Sequence, residues 1–165
     1  MSSIARVRAY LKEFGLEESV REFETSSATV ELAAQAAGVI PARIAKSLSF
    51  MLPDGPILVV AAGDAKVDNP RFKARFHAKA RMLSFDDCAA LIGHDVGGVC
   101  PFALNDGVRT YLDESLKRFD TVFPACGSAN SAIELASDRL AEVAQGFCGW
   151  VDVCKGWREE GGVRS

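Results

Sequence analysis

The sequence has few of the residues that commonly bind metal ions or form cross-links. Its 165 residues include two histidines and five cysteines, and no two cysteines form a CxxC motif. This odd, unpatterned set argues against a disulfide scaffold or a zinc finger, so we expect no metal site. The motifs of P-loop ATPases, dinucleotide-binding enzymes, GxSxG hydrolases and HExxH metalloproteases are also absent.

Long apolar runs are missing as well. The longest, Ile57 to Ala62, is far shorter than the roughly 20 residues that span a bilayer, and the N-terminal segment is charged where a signal peptide is apolar. Hydrophobic residues make up 48% and charged residues 25% of the chain, close to globular averages. We therefore expect a soluble cytoplasmic protein without a membrane partner, folded as one domain over residues 1–157 with a flexible tail at 158–165.

The net charge of −3 hides one basic stretch. Between Asp64 and Arg81, six basic residues stand against two acidic ones, giving +4, so the rest of the chain has a charge of −7. A local basic stripe suits contact with a short length of nucleic-acid backbone. A solvated helix face is the alternative, since lysine and arginine are usually exposed. The six basic residues are Lys66, Arg71, Lys73, Arg75, Lys79 and Arg81.

Local signals predict several short helices. Apolar residues recur at helical spacing from Ile4 to Phe14, and helix formers from Thr29 to Ala37 end at Gly38. Asn69 is expected to cap another helix, and Ser137 a further one that runs to Ala144.

The clearest strands form a hairpin. Leu48, Phe50 and Leu52 alternate with serines, PDGP supplies a turn, and ILVVAA forms a buried return strand. Residues 132–135 are expected to be another short strand. Short strands mixed irregularly with short helices predict an α+β fold with a curved, barrel-like mixed sheet surrounded by short helices.

Lys46 is an anomaly of this hairpin, because strand alternation places it on the apolar side of the strand. A buried lysine without a partner is costly, so three arrangements stay open. It meets a carboxylate, it reaches solvent from the end of the strand, or it stands at the mouth of a pocket where a ligand oxygen completes its hydrogen bonds.

Two glycine-rich loops offer backbone N–H groups that could hold a carbonyl or an oxyanion. They are Gly97-Gly98-Val99-Cys100-Pro101 and Gly127-Ser128. Ordinary tight turns would have the same pattern. Within the first loop, Cys100 is either a nucleophile or a buried spectator, because the sequence places no activating group beside its thiol.

Taken in this order and spacing, these segments resemble the YbaK and prolyl-tRNA synthetase editing-domain family of aminoacyl-tRNA deacylases. The resemblance extends from about Ile4 to Val153. The matching segments are IAKSLSF around Lys46, VGGVCPFAL with its GxxxP-type loop, VRTYLDESLKRFDTVFPACG and GSANSAIEL.

The resemblance implies a barrel-like mixed sheet and a hydrolase that acts in trans on mischarged tRNA, without a metal or organic cofactor. Its mechanism would use water and the free ribose hydroxyl of the terminal adenosine. The catalytic residues it implies are Lys46, Gly97, Gly98 and Pro101. The implied substrate-binding residues are Val99, Cys100, Phe102, Gly127 and Ser128. For tRNA binding, the candidates are Lys66, Arg71, Lys73, Arg75 and Lys79.

The amino acid that such an enzyme would remove stays open. Members that act on cysteinyl-tRNA have an acidic residue shortly before the IEL segment, where this chain has Ser131 and Ala132. Alanine, serine, threonine or another small amino acid remains, with tRNA-Pro as a candidate carrier and a synthetase as a candidate partner. The alternatives are a non-catalytic tRNA- or synthetase-binding module and a hydrolase that depends on Cys100.

Overall fold

A computed structural model describes residues 2–158, so the expected tail, apart from Arg158, lies outside the described residues. Within residues 2–158, five short α-helices surround the sheet, and a π-helical turn at Cys88–Ile92 continues the fourth. They are α1 (Ser3–Lys12), α2 (Val30–Ala37), α3 (Asn69–Phe76), α4 (Phe85–Asp87) and α5 (Ser137–Val143).

Ten strands of the described chain form one large sheet and two small ladders. They are β1 (Arg21–Glu22), β2 (Ile44–Leu52), β3 (Gly55–Ala62), β4 (Lys66–Val67), β5 (Arg109–Asp113), β6 (Thr121–Pro124), β7 (Ser131–Ala132), β8 (Leu135–Ala136), β9 (Phe147–Val151) and β10 (Cys154–Lys155). The large sheet has the order β8-β6-β2-β3-β5-β9, while β1 pairs with β7 and β4 with β10. Parallel and antiparallel neighbours are mixed, and the sheet curls into a half-barrel. The predicted α+β class is confirmed.

The ends of α2 show how local sequence determines an element. The Thr29 hydroxyl accepts a hydrogen bond from the Leu32 N–H at 3.2 Å, and Gly38 adopts the left-handed conformation at φ +74°. A side-chain cap and a C-terminal glycine are the usual terminators of a helix. Both were readable in the sequence, and the predicted helix is confirmed.

Three local predictions differ from the structure. Asp68, one residue before Asn69, caps α3. Ala136 occupies the N-cap of α5, while the Ser137 hydroxyl donates to the Leu116 carbonyl at 3.1 Å. Residues 132–135 are not one strand, because the chain leaves the β1–β7 ladder there and joins the large sheet as β8. For Ser137 and for residues 132–135, long-range partners override local preference.

A row of aromatic rings joins α3 to the large sheet. Phe50 lies 4.9 Å from Phe72, Phe72 lies 4.7 Å from Phe76, and Phe76 lies 5.0 Å from Tyr111, measured between ring centroids. Such tilted pairs add specific attraction to the burial of apolar surface. This packing holds one face of α3 in the core and leaves its basic residues on the outside.

The two edges of β2 differ in their hydrogen-bonded neighbours. One edge pairs with β3 continuously from Ala45–Ala62 to Leu52–Gly55. Along the other edge, β6 pairs with residues 44–45, and residues 81–83 are hydrogen-bonded to residues 49–51. Between these contacts, no strand of the described chain lies beside residues 46–48. The sheet therefore has an opening in its interior.

Candidate functional site

A pocket of about 300 Å³ occupies this opening. Residues 44–49 of β2 form one side. The other sides come from residues 27–30 at the start of α2, residues 82–88, residues 96–99 at the start of the first glycine loop, and residues 123–132. Most of the lining is apolar, and its components come from segments that are distant in sequence. The fold therefore builds a small, predominantly apolar chamber against a strand edge.

Lys46 lines this pocket. As strand alternation predicts, it lies on the side of Phe50, which is buried in the main core. Its ammonium donates to the carbonyl of Gly63 at 3.4 Å and to the carbonyl of Ala65. Burial lowers the pKa of the Lys46 ammonium, and the nearby carboxylate of Asp64 opposes that shift. Its direct hydrogen-bond partners within residues 2–158 are thus backbone carbonyls.

The two glycine loops meet in the structure. A Cβ on Gly98 would lie 2.7 Å from the carbonyl carbon of Gly127 and 2.7 Å from the backbone nitrogen of Ser128, so only glycine permits this contact. Gly97, at φ +102°, lines the pocket together with Val99. The loops therefore form one wall, in which Gly98, Gly127 and Ser128 lie behind the lining residues.

A family model for the aminoacyl-tRNA editing domain matches residues 24–143. The chain belongs to this family. Lys46 and both glycine loops, which the resemblance singled out, fall within the matched region. The recognition made from the sequence motifs is confirmed.

Known relatives of this editing domain match nearly the whole chain. The Bacillus subtilis (strain 168) protein YwhH is 54% identical over 156 residues, covering 94% of this chain and 99% of YwhH. A solved structure described as a candidate trans-editing enzyme for prolyl-tRNA synthetase has a TM-score of 0.84 at 27% identity, covering 94% of this chain and 99% of that chain. The structure of hypothetical protein APE2540 has a TM-score of 0.80 at 26% identity, covering 91% of this chain and 99% of that chain.

Cys100 of the editing domain lies in the core and does not line the pocket. Its sulfur is 3.6 Å from Nε2 of His94, but that nitrogen also lies 2.7 Å from the Phe102 carbonyl oxygen. Burial raises the pKa of the Cys100 thiol to about 12 and lowers the pKa of His94. Both groups are therefore neutral near pH 7, an arrangement that lacks the thiolate a cysteine nucleophile requires.

Phe102, expected to bind substrate, and Pro101, expected to be catalytic, are likewise buried, and the structure places neither of them in the pocket lining. The Phe102 ring is fully buried in the main core, 6.2 Å from the Tyr10 ring. The Pro101 carbonyl accepts a hydrogen bond from the Gln145 N–H at 2.8 Å. Cys100, Pro101 and Phe102 thus anchor the end of the loop, and only its start, at Gly97 and Val99, lines the pocket.

Sequence reasoning missed several lining residues of the editing domain. Met82, Phe85 and Val96 line the pocket although they are exposed, and the Phe85 side chain is 75% exposed. Ser27 and Phe123 line it from other segments. Only the tertiary pairing of distant segments brings these residues together, so no local pattern could have identified them.

The basic stretch lies outside the pocket lining, and its members are exposed. Arg71 pairs with Asp68 at 3.8 Å and with Asp152 at 3.3 Å. Lys73 and Lys79 form no ion pair with another residue in the range 2–158. The lysines therefore present more uncompensated charge than Arg71 does.

The described part of the chain has neither a metal-binding cluster nor a membrane-spanning helix. Residues 2–158 contain no group of three or more histidine, cysteine, aspartate or glutamate side chains that could hold a metal ion. No helix in this range is long and apolar enough to cross a membrane.

Proposed function

We propose that this editing domain is a free-standing deacylase that hydrolyses the ester bond of aminoacyl-tRNA carrying a small amino acid. The observation that supports this most is the convergence of Lys46 and the first glycine loop on one pocket. The second loop packs directly behind the first. Segments that only resembled a family in sequence thus lie together around a space of suitable size.

The pocket volume supports a small amino acid. At about 300 Å³, it lies at the lower end of the range of ligand sites, roughly 300–1,000 Å³, and it must hold an aminoacyl group together with part of a ribose. Val30, Ile44 and Phe123 restrict its apolar part. Apolar pockets separate neighbouring small side chains weakly, about 10- to 200-fold per methylene, but exclude large ones by volume.

The proposed reaction is attack of water on the ester carbonyl carbon, followed by cleavage of the bond to the ribose oxygen. The ribose oxygen takes up a proton, and the products are a free amino acid and uncharged tRNA. Lys46 would hold a substrate oxygen, since an ammonium has three donors and two are directed to Gly63 and Ala65. The backbone N–H groups of Gly97 and Val99, which line the pocket, would stabilise the developing negative charge.

The exposed basic residues Lys66, Arg71, Lys73, Arg75 and Lys79 are proposed to contact the tRNA backbone. Arg71 would contribute least because Asp68 and Asp152 already partner it. The Arg75 guanidinium lies over the rings of Phe76 and Tyr111, at 5.1 and 5.4 Å, which fixes its position on α3.

The test is deacylation of a panel of mischarged tRNAs. tRNA-Pro is the first carrier to try, because a structural neighbour is described as acting with prolyl-tRNA synthetase. We expect the alanyl, seryl or threonyl ester to be lost while a phenylalanyl ester survives. Equal loss of small and large esters would overturn the size argument. No ester loss at all, with tRNA still bound, would instead identify a non-catalytic binding module.

A further inference from the structure

The open edge of β2 presents backbone groups to the pocket. In a strand, the N–H and C=O groups of alternate residues point to the same edge. The Met51 N–H donates to the Arg81 carbonyl at 2.9 Å, and the Ser49 carbonyl accepts from the Leu83 N–H at 3.2 Å. Ser47 is in phase with Ser49 and Met51, so its N–H and C=O point to this same edge.

Ser47 lies where that edge has no neighbouring strand. Pairing with β6 ends at Ala45, and the contact with residues 81–83 begins at Ser49. No hydrogen bond joins the Ser47 N–H or C=O to another group within residues 2–158. Because backbone polar groups away from bulk water normally have a partner, one donor and one acceptor remain for a ligand in the pocket.

An aminoacyl ester has a matching pair of groups. Its α-ammonium is a donor and its ester carbonyl is an acceptor, separated by one Cα as in a residue of a peptide. Two facing residues of an antiparallel sheet exchange two hydrogen bonds through the same groups. Peptide ligands commonly add to a free strand edge in this way.

We propose that the aminoacyl group of the substrate docks on Ser47 as a one-residue strand. The substrate ammonium donates to the Ser47 carbonyl, and the Ser47 N–H donates to the ester carbonyl oxygen. This inference rests on the proposed deacylase function and extends it, because it defines the substrate class as esters of α-amino acids with a free amine. Recognition through the backbone accepts different side chains, and the pocket walls then select by size.

The first experiment separates the Ser47 backbone from its side chain. Ser47→Pro removes the N–H, and proline is tolerated at a strand edge whose N–H has no partner strand. Ser47→Ala is the matched control, because the Ser47 hydroxyl has no hydrogen-bond partner in the described chain. We expect kcat/KM of Ser47→Pro to be about 10- to 100-fold lower than that of Ser47→Ala, which keeps the N–H, because this is the usual effect of losing a buried hydrogen bond. Equal activity of the two folded variants would overturn the proposal.

The second experiment needs no variant and no turnover. The probes are 3′-alanylamino-3′-deoxyadenosine, which cannot be hydrolysed as an ester, and its 3′-propionylamino analogue, which lacks the α-amine. We expect the alanyl probe to bind at least about tenfold more tightly, and the Ser47 amide proton to move downfield in the NMR spectrum of the labelled protein. Equal binding of the probes, or an unmoved Ser47 resonance on binding, would overturn the docking mode. If wild-type protein hydrolyses no aminoacyl-tRNA, the proposed function fails, while this binding result still decides the docking proposal.

Discussion

The pocket and the basic face of α3 are two regions that a tRNA substrate would meet, and they differ in almost every physical property. The pocket is small and presents backbone groups, with the half-buried Lys46 as its one charged lining residue within the described chain. The face of α3 is exposed and presents several cations. Interactions in a poorly solvated site are strong and individually important. Interactions of exposed charges are weak, additive and screened by salt. A change in the pocket should therefore act on turnover, and a change on α3 should act on binding.

The largest effect is expected at Lys46. Lys46→Met keeps a long side chain but removes the ammonium, and we expect kcat/KM for deacylation to fall by about 100-fold or more, the usual cost of removing a donor to developing charge. Stability should be retained, because burial opposes the charged form of Lys46. Single-turnover experiments measure deacylation, and thermal unfolding measures stability.

Lys12→Met is the matched control, since Lys12 is exposed on α1, lies outside the basic stretch and does not line the pocket. It should change deacylation only slightly. Turnover equal to wild type in folded Lys46→Met protein would refute the catalytic role of the ammonium.

An intermediate effect is expected at Gly98, which joins the pocket wall to the second glycine loop. Gly98→Ala places a Cβ 2.7 Å from the backbone at Gly127 and Ser128, so the loops must separate. We expect a loss of about 1–3 kcal/mol in the free energy of unfolding, as for other overpacked sites, together with reduced deacylation. Urea denaturation measures the free energy of unfolding, and initial rates measure deacylation.

Gly107→Ala controls for the loss of a glycine. Gly107 has φ +87°, and nothing lies within 4 Å of the position that a Cβ would take there, so its replacement tests backbone strain without a steric clash. Deacylation by Gly107→Ala should match the wild type. Activity of Gly98→Ala as high as that of Gly107→Ala would show that contact between the loops does not shape the site.

The same contrast explains what could be predicted from the sequence. Helix α2 was predicted because its signals, Thr29 and Gly38, are local. The anomaly at Lys46 was visible because a hairpin strand has a period of two residues. The opening beside Ser47 was not visible, because it arises where β6 ends and residues 81–83 begin, two segments remote from β2 in the chain.

The position of Cys100 shows a second limit of the sequence. A loop that resembles a substrate-binding motif can direct some of its side chains to the core, and the burial of Cys100 and Phe102 depends on α1 and on the turn around His94. The motif selected a loop whose start, at Gly97 and Val99, lines the pocket. Which residues of the loop face the pocket depends on tertiary packing.

The smallest effect is expected on α3 and the segment that follows it. Lys73→Gln with Lys79→Gln removes two exposed charges that have no ion pair within the described residues. Each lost phosphate contact should reduce the slope of log K against log salt by about 0.7–0.9, so the pair should flatten the slope by about 1.4–1.8 and weaken tRNA binding at low salt. The rate of ester cleavage at saturating tRNA should stay at the wild-type value, because neither residue lines the pocket.

Lys12→Gln with Arg21→Gln, two exposed positions outside the stretch, gives the same change in net charge and should leave the slope nearly intact. An unchanged slope in the Lys73 and Lys79 variant would show that this face is only solvated, and a lower rate at saturation would mean that α3 helps to shape the pocket, against the division of roles between the two regions.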